Sequence, residues 1–86
     1  MKPVLSAHAE RELLRRGIPR SLLDSVLENP QQIVLGYGGK KAYQSQLDFG
    51  AGKPFLLRAI VDEQISPPVV VTVYRTSKIA KYWKQA

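Results

Sequence analysis

The hydrophobic period of this chain changes at Pro30, and that change limits the folds open to it. Before Pro30, apolar residues recur at helical spacing, with Leu22, Leu23, Val26 and Leu27 forming one stripe. After it, β-branched and aromatic residues cluster in short runs punctuated by glycine and proline, which is the pattern of strands. The runs cover Gln32 to Tyr37, Lys41 to Asp48, Pro54 to Asp62 and Val69 to Arg75. Their connections, Gly38-Gly39, Phe49 to Gly52 and Glu63 to Pro68, are too short for crossover helices, so each strand must turn back along the one before it. The expected fold is α+β: two N-terminal helices packed on a four-stranded antiparallel meander sheet, with a short C-terminal helix. Eighty-six residues leave room for one such domain, spanning 1–86.

Local signals set the helix bounds. Ser6 stands where a hydroxyl can cap a helix over residues 7–16, and Gly17 supplies the stop. Ile18-Pro19 opens the second helix with proline in an early position, and Asn29-Pro30 ends it, because the residue before proline is pushed out of helical geometry. Lys2 to Leu5 can form a short edge strand, and Ser77 to Lys84 a short basic helix with Ile79 and Trp83 packed inward. On the first helix, Ala7, Ala9, Leu13 and Leu14 are expected to face the sheet. Strict alternation in the last strand would put Val69, Val71, Val73 and Arg75 on one face and Val70, Thr72, Tyr74 and Thr76 on the other.

Composition narrows the chemistry. The absence of cysteine excludes a disulfide scaffold, a thiolate zinc site and a cysteine nucleophile, and a single histidine argues against most other zinc sites. No carboxylate cluster suits magnesium, and Gly36 to Gly39 is not followed by a helix or by the Lys-Ser/Thr pair of a phosphate loop. Any catalysis is therefore expected to need no metal or cofactor and to use His, Arg, Lys and Tyr. The apolar run Val69 to Val73 is far below the roughly 20 residues that cross a bilayer. No signal-type apolar core opens the chain, so the expected location is cytoplasmic, with no membrane partner. Thirteen Lys and Arg against seven Asp and Glu give +6, which favours a polyanionic partner, either nucleic acid or an acidic protein.

Several side chains can carry chemistry. His8, Arg11 and Arg15 lie three and four residues apart, on one side of the first helix. Guanidinium groups grip phosphate in pairs and imidazole moves protons near neutral pH, so this face can serve a phosphoryl site; equally, it can be a solvated face in which Glu12 pairs with Arg15 or Arg16. Arg58 interrupts an otherwise apolar strand, a costly position unless the arginine enters a cleft or snorkels to the edge. From Arg75 to Lys84, the cations Arg75, Lys78, Lys81 and Lys84 interleave with Tyr82 and Trp83, a mixture able to neutralise phosphates and stack bases. Lys40 and Lys41 add charge at the first hairpin.

Four segments resemble a known family: Ser6, His8, Ala9 and Arg11 with two residues between His8 and Arg11; Arg16-Gly17-Ile18-Pro19; Leu27 to Pro30; and Val71 to Ile79 with Lys81-Tyr82. The chain is similar to a widespread bacterial family of small proteins carrying a domain of unknown function, which looks related to BrnT and, more distantly, to the RelE/ParE toxins. That resemblance implies a RelE-like fold and a type II toxin of a toxin-antitoxin system, an mRNA interferase cleaving single-stranded messenger RNA and held by an acidic antitoxin, with the ribosome as a further partner. It points to His8, Arg11, Arg16, Thr72 and Tyr74 as matching positions, and to Arg58, Tyr74, Arg75, Lys78, Lys81 and Tyr82 as counterparts of RelE-type Arg, Lys and Tyr residues. The combined expectation is catalysis by His8, Arg11, Arg15, Arg58 and Tyr74 through attack of a ribose 2′-hydroxyl on the adjacent phosphate. RNA binding is expected at Arg75, Lys78, Lys81, Tyr82, Lys40 and Lys41. The alternative is a nonenzymatic basic module of the same fold that binds RNA or protein, and a gyrase-poisoning role of the ParE kind is a third option.

Overall fold

A computed structural model of the chain describes residues 3–50 and 52–85. Lys2, expected to open the edge strand, and Ala51, expected in the second turn, lie outside the described residues. The elements are β1 (Val4–Leu5), α1 (Ala7–Arg15), α2 (Arg20–Glu28), β2 (Gln32–Leu35), a 3-10 turn (Tyr37–Gly39), β3 (Lys41–Asp48), β4 (Pro54–Asp62), β5 (Val69–Thr76) and α3 (Ile79–Tyr82). The class is α+β, but the sheet has five strands in the order β1-β5-β4-β3-β2. β2 to β5 form the antiparallel meander, while β1 pairs in parallel with β5 through Val4 opposite Val69 and Leu5 opposite Val70. The four-stranded antiparallel expectation is thus corrected to a five-stranded mixed sheet. A parallel pair is possible because α1 and everything after it carry the chain back to β5, a connection long enough to reverse direction.

Ser6 couples β1 to α1. Its hydroxyl accepts from the Ala9 N–H at 3.0 Å, capping the helix, and donates to the Val71 carbonyl at 2.9 Å. At the other end Gly17 takes φ +62°, which a side chain would oppose. The Gly17 N–H then donates to Leu14 and the Ile18 N–H to Leu13, two bonds that close the helix while Ile18 and Leu13 join the core. In α2, Pro19 is the cap residue with extended backbone rather than an early helical position.

Both helices lie on one face of the sheet. Ala9, Leu13, Ile18, Leu23, Val26 and Leu27 pack there against Tyr43, Leu57, Ala59, Val61, Val70 and Val73. Leu14 is 85% exposed and Ala7 is exposed, so the inward side of α1 is narrower than expected: Ala9, Glu12 and Leu13. β5 also departs from strict alternation. Ile60 pairs with Thr72 but Val61 pairs with Val70, so Val71 is an extra residue in a bulge, and Val70 and Val73 both face the helices. Beyond the bulge, Thr72 and Tyr74 face away from them, across from Ile60 and Arg58.

Candidate functional site

The sheet register sets four polar side chains in a row. Gln32 opposes Gln44, Gln44 opposes Arg58 and Arg58 opposes Tyr74, and opposed residues share a face, here the one turned away from α1 and α2. The row is bonded end to end. Arg58 Nε donates to Gln44 Oε1 at 2.8 Å and Arg58 Nη1 donates to the Tyr74 hydroxyl. Gln44, fully buried, donates through Nε2 to Gln32 Oε1 at 2.9 Å and to the Tyr82 carbonyl at 3.1 Å. α3 lies over this row. The Tyr82 ring centroid is 4.2 Å from the Arg58 guanidinium carbon, and the Tyr74 and Tyr82 rings meet edge to face at 6.2 Å. Ile79 and Trp83 are half-buried on this side and stand outside the helical core.

Arg58 is 8% exposed, and no ion pair among the described residues involves it. Its partners are a neutral amide, a neutral phenol and two ring faces. Burying a cation is costly unless an opposite charge compensates it, and no carboxylate among the described residues does so for this guanidinium. Nη2 has no hydrogen-bond partner among the described residues and is not fully enclosed. Burial pushes the Tyr74 phenol up and the Arg58 charge pulls it partly back, leaving the group above its ordinary pKa. Tyr74 accepts from Arg58, and a hydrogen bond to Tyr82 also helps to hold its phenol up.

Arg58 and Tyr74 open into a cavity of about 420 Å³ whose other walls are Gly36, Tyr37, Lys40, Ile60, Val71 and Thr72. Lys40 is half-buried there and, like Arg58, forms no ion pair among the described residues. His8 reaches the wall from outside: exposed on the first turn of α1, it places Nε2 3.2 Å from Thr72 Oγ1. The geometry that brings it there is the Ser6 cap, which pins the start of α1 to the β5 bulge. An anion in the cavity would meet the Arg58 guanidinium, a phenol and a threonine hydroxyl, with Lys40 in the wall and the His8 imidazole bonded to that threonine.

The remaining expected site residues lie elsewhere. Arg11 is exposed and does not line the cavity. Arg15 is bound to Glu12 through Nε and Nη2, both at 2.9 Å, and Arg16 Nε donates to the same carboxylate at 2.8 Å. Hydrogen bonds from Arg15 and then Arg16 hold the Glu12 carboxyl at about 2, well below the usual range. Because the folded value is lowered, the stabilisation is present above about 4.5 and is lost as pH falls toward 2. Glu12→Gln is expected to melt below the wild type at neutral pH and to match it near pH 2, in thermal scans taken across that interval.

Among the expected RNA contacts, Arg75 shares the helix-side face with Leu57 and sits 4.6 Å from the Phe49 ring and 5.4 Å from Phe55, remote from Arg58 in orientation. Lys41 pairs with Glu63 at 3.1 Å, and Glu63 also accepts from the Tyr43 hydroxyl, whose pKa burial pushes up to about 12. Lys78 and Lys81 are exposed on and beside α3, with Lys81 Nζ 5.2 Å from the Tyr82 ring. Lys40 and Tyr82 are thus the two of this set that join the Arg58 site.

The fold and this cavity are the setting for the comparison with known proteins. Over residues 5–75 the chain matches a family described as a domain of unknown function, DUF4258, and it belongs to that family. No curated protein matches it, and no solved structure does. The matched span contains the Ser6 cap, His8, the cavity walls and Tyr74, and ends before α3. No described helix is long and apolar enough to cross a membrane.

Three contributors carried little signal in the sequence. Gln44 alternates with Gln46 and reads as a solvent face until the register shows it under Arg58 and α3. Tyr37 reads as the last residue of a strand and is instead the first residue of the turn over the cavity. Thr72 stood out only through the family likeness, and its contact with His8 depends on the bulge beside it.

Proposed function

We propose that the chain is a cytoplasmic endoribonuclease of the type II toxin kind that cleaves single-stranded RNA in the Arg58 cavity. The observation that supports this most is the buried Arg58 charge, which pairs with no carboxylate among the described residues and opens into a cavity it shares with Lys40. The helix-one and Thr72-Val73-Tyr74 segments resemble a family of unknown function that looks related to BrnT and, more distantly, to the RelE/ParE toxins, and this reading takes its chemistry from that relation. In this reading Arg58 and Lys40 hold the scissile phosphate and stabilise the extra charge of the phosphorane. His8 withdraws the proton from the ribose 2′-hydroxyl beside Thr72. The 2′-oxygen bonds to phosphorus, the bond from phosphorus to the 5′-oxygen breaks, and Tyr74 gives its proton to that oxygen. The products are a 2′,3′-cyclic phosphate and a 5′-hydroxyl. Arg11 and the exposed Lys78, Lys81 and Lys84 track the flanking RNA, or dock an acidic antitoxin.

One observation favours the nonenzymatic module instead: Arg15 is occupied by Glu12 and Arg11 stands outside the cavity, so His8 meets the site with no arginine of its own helix. Cleavage of a defined RNA in EDTA separates the two. The enzyme reading expects cyclic-phosphate ends in EDTA and a rate loss of about 10²-fold or more in His8→Ala. Loss of cleavage in EDTA, or full activity in His8→Ala plus Arg11→Ala, would overturn it. Salt-sensitive RNA binding without any cleavage would establish the module.

A further inference from the structure

The cavity is larger than a phosphate group requires. At about 420 Å³ it is in the range of sites that enclose a small organic molecule, and Ile60 and Val71 give it apolar wall beside the charged end. Tyr37 forms part of its rim and is 91% exposed, the highest exposure among the large hydrophobic residues described. Among the described residues no ring or cation stacks on it. Its backbone, by contrast, is held. The Gly36 N–H donates to the Lys40 carbonyl at 2.7 Å and the Lys40 N–H to the Tyr37 carbonyl at 3.3 Å. A Cβ at residue 36 would lie 3.0 Å from that Lys40 oxygen, a tight contact that glycine avoids. The result is an exposed aromatic side chain on a backbone-bonded turn, lining the same cavity as Arg58.

We propose that Tyr37 is a base platform: it stacks the nucleobase of a nucleotide whose phosphate rests on Arg58 and Lys40. This rests on the reading of the cavity as an anion site and does not require catalysis. It makes a single nucleotide, rather than a bare phosphate or a sugar phosphate, the unit the cavity recognises. Stacking tolerates any base, since each has a π-face, so the platform adds affinity without selecting sequence.

The test is calorimetric titration of the full chain, at low salt, with inorganic phosphate, ribose 5-phosphate and adenosine 5′-monophosphate. Adenosine 5′-monophosphate is expected to bind about ten-fold more tightly than ribose 5-phosphate. Tyr37→Ala should erase that difference while leaving phosphate affinity and the melting temperature unchanged, and Tyr37→Trp should retain it. Equal affinity for the two sugar phosphates in the wild type, or an equal loss of phosphate binding in Tyr37→Ala, would overturn the platform and leave the anion site standing. Failure of all three ligands to bind the wild type would overturn the anion site, and the platform with it.

Discussion

Arg58→Met is expected to abolish RNA cleavage and to weaken phosphate and RNA binding by roughly 10²-fold or more, in a protein that still folds. The size follows from burial. Removing a charged, desolvated partner from an ionic contact typically costs about 2–5 kcal/mol, and the loss of a preorganised donor at a reacting oxyanion costs about 10²–10³ in rate. Folding is spared for the opposite reason. Methionine has comparable length, carries no charge to desolvate and can lie against the Tyr82 ring, which now sits 4.2 Å from the guanidinium carbon. Against that gain, Gln44 Oε1 and the Tyr74 hydroxyl each lose a donor, a penalty of about 1–3 kcal/mol per buried group left unpaired. The two effects oppose each other, so the melting temperature should move far less than the affinity. Titration with inorganic phosphate, an RNA cleavage assay and a thermal melt on the same preparation read all three. An Arg58→Met protein that binds RNA as the wild type does would show that affinity comes from dispersed surface lysines instead. Arg58→Lys should lie between, because an ammonium keeps the charge but cannot bond Gln44 and Tyr74 from two edges of one plane.

The sequence made Arg58 conspicuous and hid what surrounds it. An arginine among Leu56, Leu57, Ala59 and Ile60 breaks an apolar pattern, and β3 and β4 run over Lys41–Asp48 and Pro54–Asp62 as their punctuation predicts. Helix bounds were legible for similar reasons: the Ser6 cap and the Gly17 stop are local, each satisfied within a few residues. The bulge at Val71 was not legible, because Val69 to Val73 are uniformly β-branched and nothing marks which one is extra. Its consequence is large, since it places Val70 and Val73 together in the core and sets Thr72 toward His8. Gln44 was hidden by the same limitation in another form. A glutamine in a strand looks solvent-facing unless the partner strands and α3 are known to cover it, and that is a property of register and of chain return. The edge strand at Val4–Leu5 was legible but its pairing is a third hidden case, for two residues of β1 carry too little pattern to specify a partner 65 residues away.

The other large effect lies on the opposite face of the sheet, where Leu23→Ala is expected to cost about 3 kcal/mol and to lower the melting temperature by roughly 10–20 °C. Leu23 is fully buried, and with Val26 and Leu27 it forms the inward stripe of α2 against Leu57 and Ala59. Only two nine-residue helices cover that face, so there is little neighbouring mass to collapse into the cavity left behind. A domain of this size has a total stability of about 4–13 kcal/mol, of which 3 is a substantial share. Leu14→Ala provides the control for helical phase. At 85% exposure its side chain gains little from folding, and its loss should change stability by no more than about 0.5 kcal/mol. Equal costs at the two positions would mean that α1 packs through the wider face its sequence suggests, with Leu14 inward. Because the Leu23 cavity and the Arg58 cavity are on opposite sides of β4, Leu23→Ala held well below its own melting point should still bind phosphate with wild-type affinity. That separation, core loss without site loss and site loss without core loss, is what a two-faced sheet with α1 and α2 on one side and α3 on the other predicts.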